Sequence, residues 1–394
     1  MAPKAQPPRV QRPRRATPAD ALRPTRAEVN LGHLRHNLRV LRRFAGTSRL
    51  WGVLKADAYG HGAPAVARTL ERAGVDGICV ALLEEAVELR NAGIRAQILV
   101  MGGNYGHGWG ELLESNLTPV IYSPDQLHAL ANEVRANGYS PVSVHLKIDT
   151  GMSRLGVRPN TIEPMLDQIR NSPEVKLTGM MTHFANADGD DLESTENQRI
   201  LFDQAVAKTR SAGFQLDVIH AANSAALIRV PLARYDLVRP GIALFGVSPR
   251  PGLISDLRPV MRVRSEIVAL REVQSGDCAG YGSTWIAQRT STVATVPIGY
   301  ADGFPRILSN RGRMLVRGRS APIVGAVSMD MTMIDVTDLE GASLRDEVVV
   351  LGTQQGPLGT DCIEADEIAA MAGTISWEVL TGISRRVPRF FREP

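Results

Sequence analysis

The chain has 394 residues, 44% hydrophobic and 22% charged, enough for a sizeable core and two domains of ordinary globular composition. Its net charge of +4 is carried by the N-terminus: residues 1–26 hold seven basic side chains against the single acid Asp20, which leaves the remainder at −2. A mildly acidic body argues against a nucleic-acid-binding fold, the lack of a long apolar run against a membrane span or secretory leader, and the scatter of Cys79, Cys278 and Cys362 against a disulfide framework or metal site. A cytoplasmic protein is expected, with a disordered, basic, Pro-rich tail over residues 1–25.

After the tail, Thr25–Asn30 reads as extended, and Leu31, Leu34, Leu38, Leu41 and Phe44 form a helical stripe. Strand-like runs then recur at Arg49–Leu54, Gly77–Ala81, Ala96–Met101, Thr118–Tyr122, Val142–Asp149, Leu177–Thr182, Leu216–His220 and Leu237–Arg239. Helical segments separate them, the first predicted over Ala63–Ala73 with Pro64 in its first turn. This alternation predicts an α/β fold, a (β/α)8 barrel over residues 26–257. Beyond Leu257 the runs Arg262–Val273, Thr292–Ile298, Arg313–Val316, Ile323–Val336 and Glu347–Leu351 lack intervening helical stripes, so residues 258–394 are expected to be mainly β. Helical character returns at Ala365–Ala372 and Ile375–Thr381.

In a barrel, chemistry gathers at the C-terminal ends of the strands. Lys55 closes the apolar run Leu50–Leu54 and precedes a glycine-punctuated turn. Desolvation at such a tip disfavours the ammonium form and supplies the neutral amine that imine formation requires, so Lys55 is a candidate Schiff-base lysine. The alternative is a lysine that snorkels to the surface from a strand end. Within Val142–Asp149 the apolar positions alternate with Ser143, His145, Lys147 and Asp149, which points Lys147 into the barrel, where it must be paired or modified. Ser224, Gly241 and Ile242 at later tips suit a phosphate cradle, so the barrel can hold a phosphorylated aldehyde at both ends. Arg239 would then donate to the ring nitrogen without protonating it, leaving a weaker electron sink that suits removal and return of one proton.

These residues fall in a longer series: VLKADAYGHG at Val53–Gly62, KIDTGMSRLG at Lys147–Gly156, THFANAD at Thr182–Asp188, ANSAA at Ala222–Ala226, RPGIALFG at Arg239–Gly246, AGYGSTW at Ala279–Trp285, GYADG at Gly299–Gly303, SMDM at Ser328–Met331 and RVPR at Arg386–Arg389. In order and spread the series resembles alanine racemase, a pyridoxal-phosphate enzyme with a (β/α)8 barrel and a β-rich C-terminal domain.

The resemblance implies that Lys55 is the Schiff-base lysine and Tyr281 the second base, acting from the opposite face of a small amino-acid substrate. Tyr281 would come from the partner in a head-to-tail homodimer. A free phenol titrates near a pH of about 10, and His183 matches the residue that bonds it. Arg154 matches the arginine that contacts the cofactor's phenolic oxygen and the substrate carboxylate, aided by the backbone N–H of Met329, with Asp330 in a supporting place. Lys147 matches a position carbamylated in many members, where the added negative charge orients the arginine. Tyr59, Ser224, Gly241 and Ile242 match phosphate contacts, and Asp188, Tyr300 and Arg306 match the substrate entrance. The implied role is D-alanine supply for peptidoglycan, with no metal. Two departures stand out: Trp377 replaces a phosphate-bonding tyrosine, and Ala326 replaces an entrance arginine found in some members. A racemase of broader specificity, acting for example on serine, a non-catalytic pyridoxal-phosphate carrier and a Schiff-base aldolase are the alternatives.

Overall fold

The computed structural model describes residues 21–393. The expected tail lies outside the described residues as far as Asp20. At its inner end Thr25 is fully buried, its hydroxyl bonded to Ser265 Oγ at 2.8 Å and donating to the Pro297 carbonyl at 2.5 Å, so the ordered chain starts before Arg26. Two compact units divide the described chain: a barrel unit of Val29–Met261, Ile375–Thr381 and 391–393, and a β-rich unit of 21–28, Arg262–Thr374 and Gly382–Phe390.

β1 is Arg26–Asn30, and the barrel strands follow as β2 (Arg49–Val53), β3 (Gly77–Val80), β4 (Ile98–Val100), β5 (Thr118–Ile121), β6 (Val142–Lys147), β7 (Val175–Met181), β8 (Val218–His220) and β9 (Leu237–Val238). Neighbours pair in parallel in sequence order, and β9 returns to β2. The flank between β8 and β9 is closed by single backbone bonds, Asp236 N to Ile219 O at 3.1 Å and Arg239 N to Ala222 O at 2.9 Å. All eight expected runs are strands. Just beyond the strands, Lys55 opens the short turn Lys55–Tyr59, and Asp149, His183 and Arg239 fall in loops.

The first helix, Leu31–Ala45, buries Leu31, Leu34, Leu38 and Leu41 as its stripe predicts, but Ala45 is buried where Phe44 was expected. Asn37 shares the buried face. Its amide donates to Leu244 O at 3.0 Å and Arg258 O at 2.8 Å and accepts from Arg258 N at 2.8 Å, satisfying three backbone groups from a fully buried side chain.

In the β-rich unit the run expected over Arg262–Val273 divides into β10 (Met261–Glu266) and β11 (Ala269–Val273), which enter different sheets. The short hairpin strands β12 (Cys278–Ala279) and β13 (Trp285–Ile286) pair with each other, and β14 is Ser291–Val296. Then come β15 (Arg313–Val316), β16 (Arg319–Pro322), β17 (Thr332–Asp335), β18 (Glu347–Gly356), β19 (Gly359–Ile363) and β20 (Arg389–Arg392). One sheet runs β16-β15-β18-β10-β1-β20 with β19 on β18, and a second runs β11-β14-β17. The single strand expected over Ile323–Val336 is corrected: only β17 forms in it. Asn310 Oδ1 takes the Gly325 N–H at 2.6 Å and Ser309 Oγ the Val327 N–H at 2.9 Å, which removes donors that a continuous strand would need.

Replacing Asn37 with Leu should lower unfolding free energy by about 1–3 kcal/mol, because the buried Leu244 carbonyl and both backbone groups of Arg258 lose their bonds. A urea-denaturation midpoint read against the wild type measures it.

Candidate active site

Lys55 emerges from β2 into a backbone conformation that the sequence did not announce. Ala56, Asp57, Ala58 and Tyr59 all have φ between 52° and 57°, a left-handed helical turn built from residues with side chains. Such a turn costs about 1 kcal/mol or more per residue, so it must be held. Glu85 Oε1 accepts the Ala56 N–H at 2.6 Å, while its Oε2 accepts Ala81 N at 2.9 Å and Leu82 N at 3.1 Å, tying the tip of β2 to that of β3. His61 Nδ1 lies 3.0 Å from the Ala58 carbonyl and 2.9 Å from that of Tyr59, so it carries the proton and donates, and its ring stacks on Phe245. Asp57 Oδ1 caps Ala63 N at 2.6 Å. His61, to which the sequence reading gave no chemistry, is therefore a staple for the lysine turn.

Lys55 lines a cavity together with Tyr59, His183, Asp188, Ser224, Arg239, Gly241, Ile242 and Trp377, all residues of the barrel unit. Its pKa is lowered, first because the protein strips part of its hydration and then because Arg154 adds a like charge. Lys147, buried as expected, is pushed down to about 8 by burial and by Arg154, Arg239 and Lys55. Among the described residues none of Lys55, Lys147, Arg154 and Arg239 makes an ion pair, since Asp149 is committed to Arg158 and to the N–H groups of Gly151 and Ser153. Lys55 and Arg239 line the cavity, and the charges of Arg154 and Lys147 reach it, so its field favours an anion.

Arg239 is buried, and its pKa falls to about 10 through burial. Nη2 donates to Thr182 O at 2.8 Å and Ala221 O at 2.9 Å, and Nη1 donates to His220 Nδ1 at 2.6 Å. His220 must accept at Nδ1, so its Nε2 bears the proton and donates to His145 Nδ1 at 2.8 Å. Burial and Arg239 hold both imidazoles neutral, with His145 pushed down to about 3. His183 is likewise held near 3, by burial and then Arg239. Gln198 joins the loops that carry Arg154 and His183: Nε2 donates to Thr150 Oγ1 and to His183 O, each at 3.2 Å, and Oε1 accepts Ala185 N at 2.9 Å.

At the other end of the cavity, Ser224 Oγ accepts Gly241 N at 2.9 Å and Ala243 N at 3.4 Å, which leaves the hydroxyl proton free to donate. A Cβ at Gly241 would overlap the Tyr59 hydroxyl, so only glycine lets that phenol lie against the loop. Burial raises the Tyr59 pKa, keeping it a neutral donor.

The remaining expected site residues belong to the β-rich unit. Tyr281 sits in the turn of the β12–β13 hairpin, 75% exposed, and lines a cavity with Ala326, Ser328, Met331 and Met333. Met329 and Tyr300 are also exposed, and Asp330 pairs with Arg386 at 2.7 Å. Arg306 lines a further cavity with Ala326. Glu85, His61, His220 and Gln198 were missed. His220 ends a predicted strand and was legible as a tip residue, whereas the other three act on backbone conformations that no spacing encodes.

The chain matches the family model for the alanine racemase N-terminal domain over residues 29–249 and that for the C-terminal domain over residues 260–391. It belongs to the alanine racemase family. An alanine racemase of Sorangium cellulosum is 62% identical over 379 residues, covering 95% of this chain and 100% of that one. The alanine racemase of Streptomyces coelicolor superposes with a TM-score of 0.89 at 35% identity, over 95% of this chain and 99% of that one. That of Bartonella henselae, described with covalently bound pyridoxal phosphate, gives 0.84 at 28% identity, over 93% and 99%. The predicted barrel and β-rich C-terminal domain are those of this family.

For an alanine racemase barrel carrying Lys147 as a free amine, the lowered pKa is a cost below about pH 8 that disappears as the unfolded state also deprotonates near 10.5. Between those values the unfolded chain binds the extra proton, so stability rises with pH. In CO2-free buffer the wild type should gain about 3 kcal/mol over Lys147→Met across that window, measured by denaturation at fixed pH steps.

Proposed function

We propose that this chain interconverts L- and D-alanine with two bases on opposite faces of Cα, one removing the proton and the other returning one: Lys55 Nζ and the hydroxyl of Tyr281 from a second copy of the chain. The observation that carries the reading is Lys55 itself: an amine with a lowered pKa, held beside a strained turn in a cavity that Arg239, Ser224 and Tyr59 also line. Pyridoxal 5′-phosphate is the cofactor, supplying when bound an aldehyde for an amine and a ring that draws electron density from Cα.

The residues fit such a dianionic group. The Ser224 hydroxyl, the Tyr59 phenol and the loop at Gly241–Ile242 would hold the phosphate, and Arg239 would donate to the ring nitrogen. Arg239 does not give up its proton and is itself fixed by His220, so it would donate a hydrogen bond to the ring nitrogen without protonating it. Arg154, with the backbone N–H of Met329, would orient the substrate carboxylate. His183, neutral at physiological pH, would accept from or donate to Tyr281 without adding a charge. A lysine with a pKa of about 8 is a ready nucleophile towards CO2, and carbamylation of Lys147 would place an anion beside Arg154.

Exposure of Tyr281, Ile286, Met329 and Met331 on the β-rich unit supports a head-to-tail homodimer in which a second copy covers them. Among the described residues no helix is long and apolar enough to cross a membrane, and we place the enzyme in the cytoplasm, supplying D-alanine to peptidoglycan. Asp188, Tyr300 and Arg306 would line the entrance, made more open by Ala326.

Incubation with L-alanine in deuterated water should yield D-alanine labelled at Cα. Tyr281→Phe should cut racemisation by about 10²- to 10⁴-fold while keeping the visible cofactor absorbance, and Lys55→Ala should leave a colourless or loosely loaded protein. Racemisation by Tyr281→Phe at the wild-type rate would remove the two-base assignment. Equilibration with ¹³C-bicarbonate should give a carbamate resonance that is missing from Lys147→Met.

A further inference from the structure

Near the start of the described residues, Arg23 meets a buried acid. Arg23 donates a forked pair of bonds to the Asp302 carboxylate, Nη1 to Oδ2 at 3.0 Å and Nη2 to Oδ1, and reaches the Pro297 carbonyl with Nη1 at 3.5 Å. Asp302 is fully buried and has two further partners: its Oδ2 accepts the Gly299 N–H at 3.1 Å, and its Oδ1 lies 3.6 Å from Arg386 Nε. Arg386 in turn donates through Nη2 to Asp330 Oδ1 at 2.7 Å. An alternating chain of charges, Arg23–Asp302–Arg386–Asp330, therefore runs from the tail to the loop that carries Met329.

The backbone follows the same route. Tyr300 N donates to Ser328 O and Ala301 N to Met329 O, each at 3.0 Å, so the Gly299–Gly303 turn that Asp302 closes is bonded directly to the Ser328–Met331 loop. A Cβ at Gly299 would overlap the carbonyl oxygens of Ser328 and Met329, which shows how closely the two backbones meet. Thr25 fixes the root of the same turn through its bond to Pro297 O.

We infer that Arg23 is a positioning residue for substrate binding: through Asp302 and Arg386 it sets the Ser328–Met331 loop, and with it the Met329 N–H and Tyr300, in the place that receives the substrate carboxylate. Without Arg23, Asp302 retains Arg386 as its only guanidinium among the described residues, and Arg386 is drawn towards the buried carboxylate and away from Asp330. The inference rests on the racemase reading above, which assigns Met329 its role.

Arg23→Ala should raise the KM for alanine about fivefold or more with kcat within about twofold, and should leave the affinity for pyridoxal phosphate, read from visible absorbance on titration, unchanged. Arg23→Lys keeps the charge without the fork and should restore part of the KM. Asp330→Asn should raise the KM as well, and the double variant Arg23→Ala/Asp330→Asn should show no further rise, because both changes break one chain. A wild-type KM in Arg23→Ala, multiplicative effects in the double variant, or a fall in kcat and melting temperature without a KM change would each overturn the inference. If Arg23→Ala does not fold, the pair Arg23→Lys and Asp330→Asn decides by the same criterion. Failure of the wild type to racemise alanine would instead sink the functional reading.

Discussion

Arg154 acts on Lys55, and Arg154, Arg239 and Lys55 act on Lys147, across the end of the barrel, where Glu85 and Asp149 offset them only in part. Burial and then Arg154 lower the proton affinity of Lys55, burial and then Arg154, Arg239 and Lys55 lower that of Lys147, and burial lowers that of Arg239. The arrangement is costly for the protein alone and favourable once dianionic phosphate and a carboxylate enter, so ligand binding and folding stability draw on the same charges. It also explains why the nearby imidazoles are neutral. His145, His183 and His220 would each have to take up a proton in the field of Arg239, and burial removes the water that would offset it.

The same economy governs the backbone. Four consecutive left-handed residues follow Lys55 and carry the chain from the tip of β2 to the helix that starts at Ala63. The turn persists because its polar groups are over-determined: Glu85 holds the entering N–H, Asp57 caps the departing helix at Ala63, and His61 occupies the inner carbonyls. Removing one of these leaves the others in place, which is how a strained element survives in a protein of ordinary stability.

Much of the fold was readable because parallel strands buried on both faces carry dense apolar runs, and eight of them recurred at barrel spacing. The polar tips were readable for the same reason, since Lys55, Ser224 and Arg239 interrupt those runs. Legibility failed where side chains serve backbone. Asn37 lies in an apolar stripe yet bonds three peptide groups, and Ser309 and Asn310 convert an expected strand into the loop before Met329. Periodicity records which residues avoid water, and it is blind to a polar side chain that avoids water by bonding a distant peptide. The Ala56–Tyr59 turn is a further case, because alanine and aspartate carry no mark of a positive φ.

Charge counting failed in a related way. Summed over residues 1–26, the N-terminal basic side chains describe a solvated tail, and Arg23 is one term in that sum. In the fold its guanidinium bonds a carboxylate with no access to water, so its electrostatic weight exceeds that of a solvated arginine. Net charge treats all arginines alike, whereas the interaction energy depends on how much water each partner has lost. A buried acid such as Asp302 is therefore the better guide to which member of a basic cluster has a fixed place, and it is visible only when burial is known.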